Sequence, residues 1–185
     1  DSFIKLWIGN EDILDKLTVF LMILNFYLGG MRKSVLIFKD AFGLYYYDRH
    51  KPIFEAAINL IFSLILVKSF GLTGVLLGTT ISTLMTCFWV EPFVLYKYGF
   101  KSSATPYFLK YLLYATITFV SCIMTYYLTN IFSGESIFNF IIKLVICIIL
   151  PNALFLLLFF NTKEFKYIYQ LISRLIKDRK TFFST

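Results

Sequence analysis

Residues 17–47 read LTVFLMILNFYLGGMRKSVLIFKDAFGLYYY, an apolar segment crossed by polar side chains at regular intervals. Polar residues recur here at every seventh position: Glu11 just before the segment, then Thr18, Asn25, Arg32 and Lys39 within it. Seven residues are almost two helical turns, so successive members drift by only about 20° and form one stripe on a helix. Arginine and lysine are costly in lipid and usually face a water-filled cavity or a partner. The stripe therefore indicates a transport pathway.

The composition is that of an integral membrane protein. Hydrophobic residues make up 58% of the 185 residues, and the mean hydropathy is +0.74, whereas soluble domains are about 45–50% apolar. The net charge of +7 does not indicate a nucleic-acid partner, because six of the 18 Lys and Arg residues lie after Asn161 and most others flank apolar runs. Such flanking is typical of anchoring on the cytoplasmic side of a membrane.

The residues that enzymes use are sparse. Cys87, Cys122 and Cys147 lie in three different apolar runs without metal-binding or redox spacing, and we interpret them as small buried apolar residues. His50 is the only histidine, and neither a serine-nucleophile motif nor a glycine-rich phosphate loop is present. We therefore predict that the protein is not an enzyme and has no catalytic residue, metal site or cofactor.

Five stretches are long enough to cross a membrane, which takes about 20 predominantly apolar residues. They cover residues 15–42, 53–69, 72–96, 107–130 and 137–160. Short links make consecutive helices antiparallel neighbours, so we predict an all-α, up-and-down polytopic bundle. The chain begins at Asp1 inside an apolar pattern and without an initiator methionine, which suggests a missing N-terminal part. We expect a C-terminal transmembrane lobe over residues 1–160 and a cytoplasmic tail over 161–185.

The charge distribution predicts the orientation. Eleven basic residues lie on the side that includes the tail, against three on the other side, so the C-terminus should be cytoplasmic. Residues 165–176 place apolar side chains at helical spacing among lysines and arginines. This pattern predicts an amphipathic helix on the inner leaflet, where basic residues meet anionic lipid. The alternative is a partly disordered tail.

The strongest candidate for function is the positive end of the first span. Arg32, Lys33, Lys39 and Asp40 occupy an arc of roughly 120° on a helix. Arg32 lies about 22 Å along the axis from Leu17, in the inner third of the bilayer. We predict that the three cations line a cavity on the cytoplasmic side, suited to an anionic substrate such as a diphosphate. The alternative is that they snorkel to the interface.

The second span adds a polar face at four-residue spacing, Glu55, Asn59 and Ser63. Glu55 is either an interfacial carboxylate paired with Arg49 and Lys51, or part of a polar lumen or a proton-coupling carboxylate. The complete set of predicted cavity residues is Asn25, Arg32, Lys33, Lys39, Asp40, Glu55 and Asn59.

Two glycine pairs bear on helix packing. Gly74 and Gly78 form a small-xxx-small motif that favours close contact between membrane helices. Gly29 and Gly30 precede Arg32 by about one turn and fit either a hinge or a packing contact.

Several short motifs together resemble a known transporter family. They are LWIG at 6–9, FGLY at 42–45, DRHKP at 48–52, NL at 59–60, LVKSFGLTGVLLGT at 66–79 and EP at 91–92. They are similar to the polysaccharide-export flippases, the O-antigen, capsule and teichoic-acid repeat-unit transporters of the multidrug/oligosaccharidyl-lipid/polysaccharide superfamily. The resemblance covers essentially the whole chain, and its most specific part is the block from 59 to 79 with Glu91-Pro92.

The resemblance implies a protein of about twelve or more helices in two lobes around a central cavity. This chain would be most of the second lobe, with the first lobe and membrane lipids as partners. The implied substrate is a polyprenyl-diphosphate-linked oligosaccharide that moves across the bacterial inner membrane by alternating access.

Three other classes stay open. A drug or cation exporter of the same superfamily is disfavoured by a cationic cavity, because such substrates prefer acidic or aromatic pockets. A membrane-embedded glycosyltransferase or polymerase of the polysaccharide pathway would need a large extracytoplasmic loop, and the outer links here are short. A structural membrane anchor should lack aligned charges.

Overall fold

The fold is known from a computed structural model that describes residues 14–132 and 137–182, with side chains through residue 175. All regular secondary structure in these residues is helical, so the predicted all-α class is confirmed for this part of the chain. Glu11 of the polar stripe and the LWIG segment lie outside the described residues.

Six long helices follow one another in the described ranges. They are α1 (Lys16–Ala41), α2 (Lys51–Phe70), α3 (Leu72–Gly99), α4 (Thr105–Ile131), α5 (Ile137–Phe159) and α6 (Lys163–Phe182). By length and composition, α1 to α5 can each cross a membrane. The five predicted stretches are thus confirmed as helices of spanning length, and their ends lie within three residues of the predicted ends.

Local sequence signals fix where the first helices begin and end. Asp15 caps α1 by accepting a hydrogen bond from the backbone N–H of Leu17 at 3.1 Å. Pro52 occupies the first turn of α2, where a missing N–H costs nothing. Gly71 alone separates α2 from α3 and adopts a φ of 55°, which favours glycine. Because the turn is so short, α2 and α3 form an antiparallel hairpin.

The α2–α3 hairpin is packed through glycine. A Cβ added to Gly74 would lie 2.7 Å from the backbone nitrogen of Val67, and one added to Gly78 would lie 2.8 Å from that of Ser63. No real side chain tolerates such contacts, so the close approach predicted from the small-xxx-small motif is confirmed. A Cβ added to Gly30, by contrast, meets nothing within 4 Å in the described structure.

Helix α3 is irregular at two places. It contains π-helical turns at Thr83–Cys87 and Leu95–Gly99, and Pro92 lies between them. Proline provides no backbone donor, and π turns are frequent where a helix carries function. Glu91 lies one turn after the first π segment and directly before the proline, on the stretch of α3 where regular helix geometry is relaxed.

Contacts divide the chain into two compact units, one through Tyr114 and one from Ala115, so the boundary falls within α4. In the first unit, α3 packs on α1 and α2. Aromatic side chains also join α3 to the start of α4, where the rings of Phe88 and Tyr111 meet edge to face at 5.1 Å. The predicted division between lobe and tail at residue 160 stays a prediction.

In the second unit, α6 confirms the predicted tail helix, with a described apolar face that is largely exposed. Its position on the inner leaflet stays a prediction. Cys122 and Cys147 are exposed, whereas Cys87 is buried in the first unit. The interpretation of all three cysteines as buried was therefore wrong for two of them, which lie on helix faces that the described chain leaves uncovered.

Candidate functional site

The polar stripe on α1 faces α3. The hydroxyl oxygens of Thr18 and Thr73 lie 2.6 Å apart. Asn25 donates a hydrogen bond to the carbonyl of Leu76 at 3.2 Å and accepts one from Thr80 at 2.9 Å. Both side-chain pairs are 55 residues apart in sequence, so α1 and α3 run in the same direction and keep a constant register.

Apolar side chains fill the spaces between the polar ones. Leu21, Leu28 and Val35 are buried on α1 and alternate with the stripe at spacings of three and four residues. This is the pattern of a coiled-coil seam, with polar residues at one heptad position and apolar residues at the other. The stripe that suggested a pathway is therefore also the packing seam of α1, and its described members contact side chains or backbone of this chain.

Arg32 anchors the seam with three hydrogen bonds to two carboxylates. Its Nε donates to Glu91 Oε2 at 2.8 Å and its Nη2 donates to Glu91 Oε1 at 2.7 Å. This is the fork geometry that makes arginine–carboxylate pairs strong. The remaining nitrogen, Nη1, donates to Glu55 Oε1 at 3.2 Å.

Lys51, the first residue of α2, completes the cluster. Its Nζ forms an ion pair with Glu91 and lies 3.3 Å from Glu55 Oε2 and 3.6 Å from Cys87 Sγ. We call Arg32, Lys51, Glu55 and Glu91 the charge cluster. It joins α1, α2 and α3, and its two cations are balanced by two carboxylates.

The charge cluster has a buried end and an open end. The side chains of Glu91 and Lys51 are 1% and 7% exposed, whereas those of Arg32 and Glu55 are 28% and 25% exposed. A buried ion needs a close partner, because its desolvation costs several kcal/mol. Glu91 meets this requirement by bridging both cations, while Arg32 and Glu55 can be reached from outside.

Two cavities flank the cluster. One of about 20 Å³ is lined by Arg32, Glu91 and Tyr111, among others, and is large enough for a water but not for a diphosphate. The Tyr111 hydroxyl is buried and has no hydrogen-bond partner among the described residues. A groove of about 350 Å³ lies on the side of Lys51, with His50 in its lining.

The other predicted cations lie apart from Arg32. Lys39 is buried and forms an ion pair with Asp48, which fixes the link between α1 and α2. Lys33 and Asp40 are exposed. Asp40 accepts a hydrogen bond from Tyr45, which raises the pKa of that hydroxyl. The arc predicted for these residues does not form one cluster within the described structure, and their role in a cavity stays a prediction.

The predicted polar face of α2 serves two purposes. Asn59 donates to Thr79 at 3.2 Å and to Ser82 at 3.3 Å and accepts from Ser63 at 3.3 Å, which ties α2 to α3. Glu55 does pair with Lys51, one of the two bases suggested by the sequence, and its second partner is Arg32.

Sequence reasoning missed Glu91 and Lys51 as members of the site. Glu91 was visible as an ionisable residue within a span, which is itself a signal of function. Lys51 was assigned to a link because it lies at the edge of its helix. Among the residues that the structure describes, no group of three His, Cys, Asp or Glu side chains could hold a metal ion.

No family model, curated protein or solved structure matches the chain.

Proposed function

We propose that this chain forms most of the second lobe of a bacterial inner-membrane flippase for a polyprenyl-diphosphate-linked oligosaccharide. The observation that carries the proposal is the charge cluster, which lies on three helices that can each cross a membrane. Charged side chains on such helices are expensive, and they mark transport pathways in many membrane proteins. The resemblance of the 59–79 block and Glu91-Pro92 to polysaccharide-export flippases supplies the substrate class.

In this proposal, Arg32 binds the diphosphate from the open end of the cluster. A guanidinium can hold Glu91 through Nε and Nη2 while its Nη1 donates to a phosphate oxygen, whereas an ammonium lacks this fixed arrangement of donors. Exposed Lys33 adds positive charge on the same helix, while Lys39 remains with Asp48 and orders the link. The lobe works with a first lobe of the same protein by alternating access, the C-terminus is cytoplasmic, and the polyprenyl tail stays in lipid.

The test separates substrate binding from helix pairing at Arg32. Arg32→Ala should abolish surface-polymer export in a complementation strain, and Arg32→Lys should restore only part of it. The control is the neutral variant that carries both Arg32→Gln and Glu91→Gln. It removes the guanidinium together with its buried counter-charge and leaves Lys51 paired with Glu55.

We expect the neutral variant to show higher membrane abundance than Arg32→Ala in an immunoblot, because no buried charge is left unpaired, without recovering export. If the neutral variant also restores export, Arg32 serves only to pair helices, and the substrate-binding proposal fails.

A second candidate is a drug or cation exporter of the same superfamily. The observation that favours it is Glu55, a carboxylate that is 25% exposed at the open end of a neutral cluster. Binding of tetraphenylphosphonium compared with binding of inorganic pyrophosphate, on the purified protein in nanodiscs, separates the two candidates. The flippase proposal expects the anion to bind in an Arg32-dependent manner.

A further inference from the structure

We infer that Glu55 is an internal competitor of the substrate: it occupies Nη1 of Arg32 in the empty site and gives way to a phosphate oxygen. The inference rests on the proposed function, because it takes the substrate to be a diphosphate. It concerns one contact of the charge cluster, that between Arg32 and Glu55.

The two carboxylates differ in the number and length of their hydrogen bonds to the cations. Glu91 meets Arg32 through two hydrogen bonds of 2.7 and 2.8 Å and also pairs with Lys51. Glu55 makes one contact with Arg32 at 3.2 Å and one with Lys51 at 3.3 Å. Charge-assisted hydrogen bonds of full strength measure about 2.7–2.9 Å. Glu55 is therefore the weaker partner of both cations.

Glu55 is also the more exposed of the two carboxylates. Glu91 is 1% exposed, and its removal from the cations would leave an unpaired buried charge, which is strongly destabilising. Glu55 is 25% exposed, so it can rotate away from Arg32 and be hydrated. An incoming anion reaches Nη1 of Arg32 at this open end, where only Glu55 has to move.

The charge balance of the cluster explains why a competitor is needed. With Glu55 in place, two cations face two carboxylates, and a neutral cluster offers little attraction to an anion. When Glu55 swings out, Arg32, Lys51 and Glu91 remain, and the site carries one positive charge toward the diphosphate. In the absence of substrate, Glu55 restores neutrality and limits the cost of burying two cations.

The experiment measures binding of inorganic pyrophosphate to the intact protein in lipid nanodiscs at low ionic strength. Glu55→Gln removes the negative charge but keeps the shape of the side chain. It should bind pyrophosphate about tenfold more tightly, because one like charge close to the anion is lost. The double variant Arg32→Gln with Glu55→Gln should lose this gain. Glu164→Gln in α6 makes the same change in net charge outside the cluster and should leave the affinity unchanged.

Unchanged affinity in a folded Glu55→Gln protein would overturn the inference, and so would equal tightening in Glu164→Gln, which would indicate a general charge effect. If Glu55→Gln does not fold, Glu55→Asp shortens the reach to Arg32 and should tighten binding about threefold, half the effect on a logarithmic scale. No change in that variant would also overturn the inference.

The binding measurement and the export measurement can fail separately, so they distinguish a failure of this inference from a failure of the proposed function. Tighter pyrophosphate binding without any Arg32-dependent export would retain the competitor and reject the flippase. Arg32-dependent export with unchanged affinity in Glu55→Gln would retain the flippase and reject the competitor.

Discussion

The described parts of both units are helical, but the units differ in what their helices bury. In the first unit, α1 and α3 bury threonine, serine, lysine and glutamate side chains, each of which has a hydrogen-bond or ion-pair partner. In the second unit, α5 has no buried residue, and its only charged side chain is Lys143. By length and composition, all three of these helices are candidate membrane spans. The difference teaches that hydropathy identifies a span, while polar pairing distinguishes a span that carries a site.

Of all the substitutions, the largest loss of stability is expected at Glu91, the most deeply buried charged side chain of the charge cluster. Glu91→Gln removes the closer of the two carboxylates that Arg32 and Lys51 share and leaves two cations with Glu55 alone, at a cost of about 3–5 kcal/mol. Membrane abundance and the unfolding midpoint in detergent should both fall sharply. Lys143→Gln in α5 is the matched control and should change neither measurement. If Lys143→Gln lowered abundance and the unfolding midpoint as much as Glu91→Gln, the two units would not differ in the way described.

A second prediction concerns the glycines. Gly78→Ala forces α2 and α3 apart and should lower the free energy of unfolding by about 1–3 kcal/mol. Gly30→Ala meets open space and should be neutral or stabilising by up to about 1 kcal/mol, since alanine favours helix more than glycine. Thermal unfolding of the two purified variants provides the measurement. If Gly30→Ala keeps its unfolding temperature but loses export, the hinge interpretation is supported instead.

Each hydrogen bond between α1 and α3 should contribute less to the free energy of unfolding than these two sites. A double-mutant cycle of Asn25→Ala and Thr80→Ala should give a coupling energy of about 0.6 kcal/mol, the average for such bonds within membrane proteins. Unfolding of the two single variants and the double variant completes the cycle. A coupling near zero would mean that this hydrogen bond does not contribute to the pairing of α1 with α3.

The smallest effect on export should come from α6. Truncation after Thr162 removes an amphipathic helix with a basic sequence, so we expect lower membrane abundance. Export per molecule and the kind of sugar carried should stay the same. Quantitative immunoblots together with analysis of the exported polymer test this. Normal abundance with an altered sugar preference would contradict the prediction and assign the tail to recognition.

Patterns within one helix were readable from the sequence, whereas contacts between helices were not, apart from the close approach at Gly74 and Gly78. The ends of five spans followed from the lengths of apolar runs, and the helical tail followed from its periodicity. The seven-residue stripe predicted that Thr18, Asn25 and Arg32 share a face. The sequence did not reveal that Glu91 is the partner of Arg32. The two residues are 59 positions apart, and their pairing depends on the register between α1 and α3. Arg49 was a suggested partner of Glu55, yet it contacts His50 instead.

The fork between Arg32 and Glu91 has a consequence for biosynthesis. Ribosomes add about 5–20 residues per second, so Glu91 emerges roughly 3–12 s after Arg32, given their separation of 59 residues. Glu55 follows Arg32 by only 23 residues, so it is synthesised before Glu91, the other carboxylate that bonds to Arg32. We therefore expect that Glu55 can pair with Arg32 first and that Glu91 joins the pair when α3 inserts. Stable lateral release of α1 from the insertion machinery should therefore wait for α3.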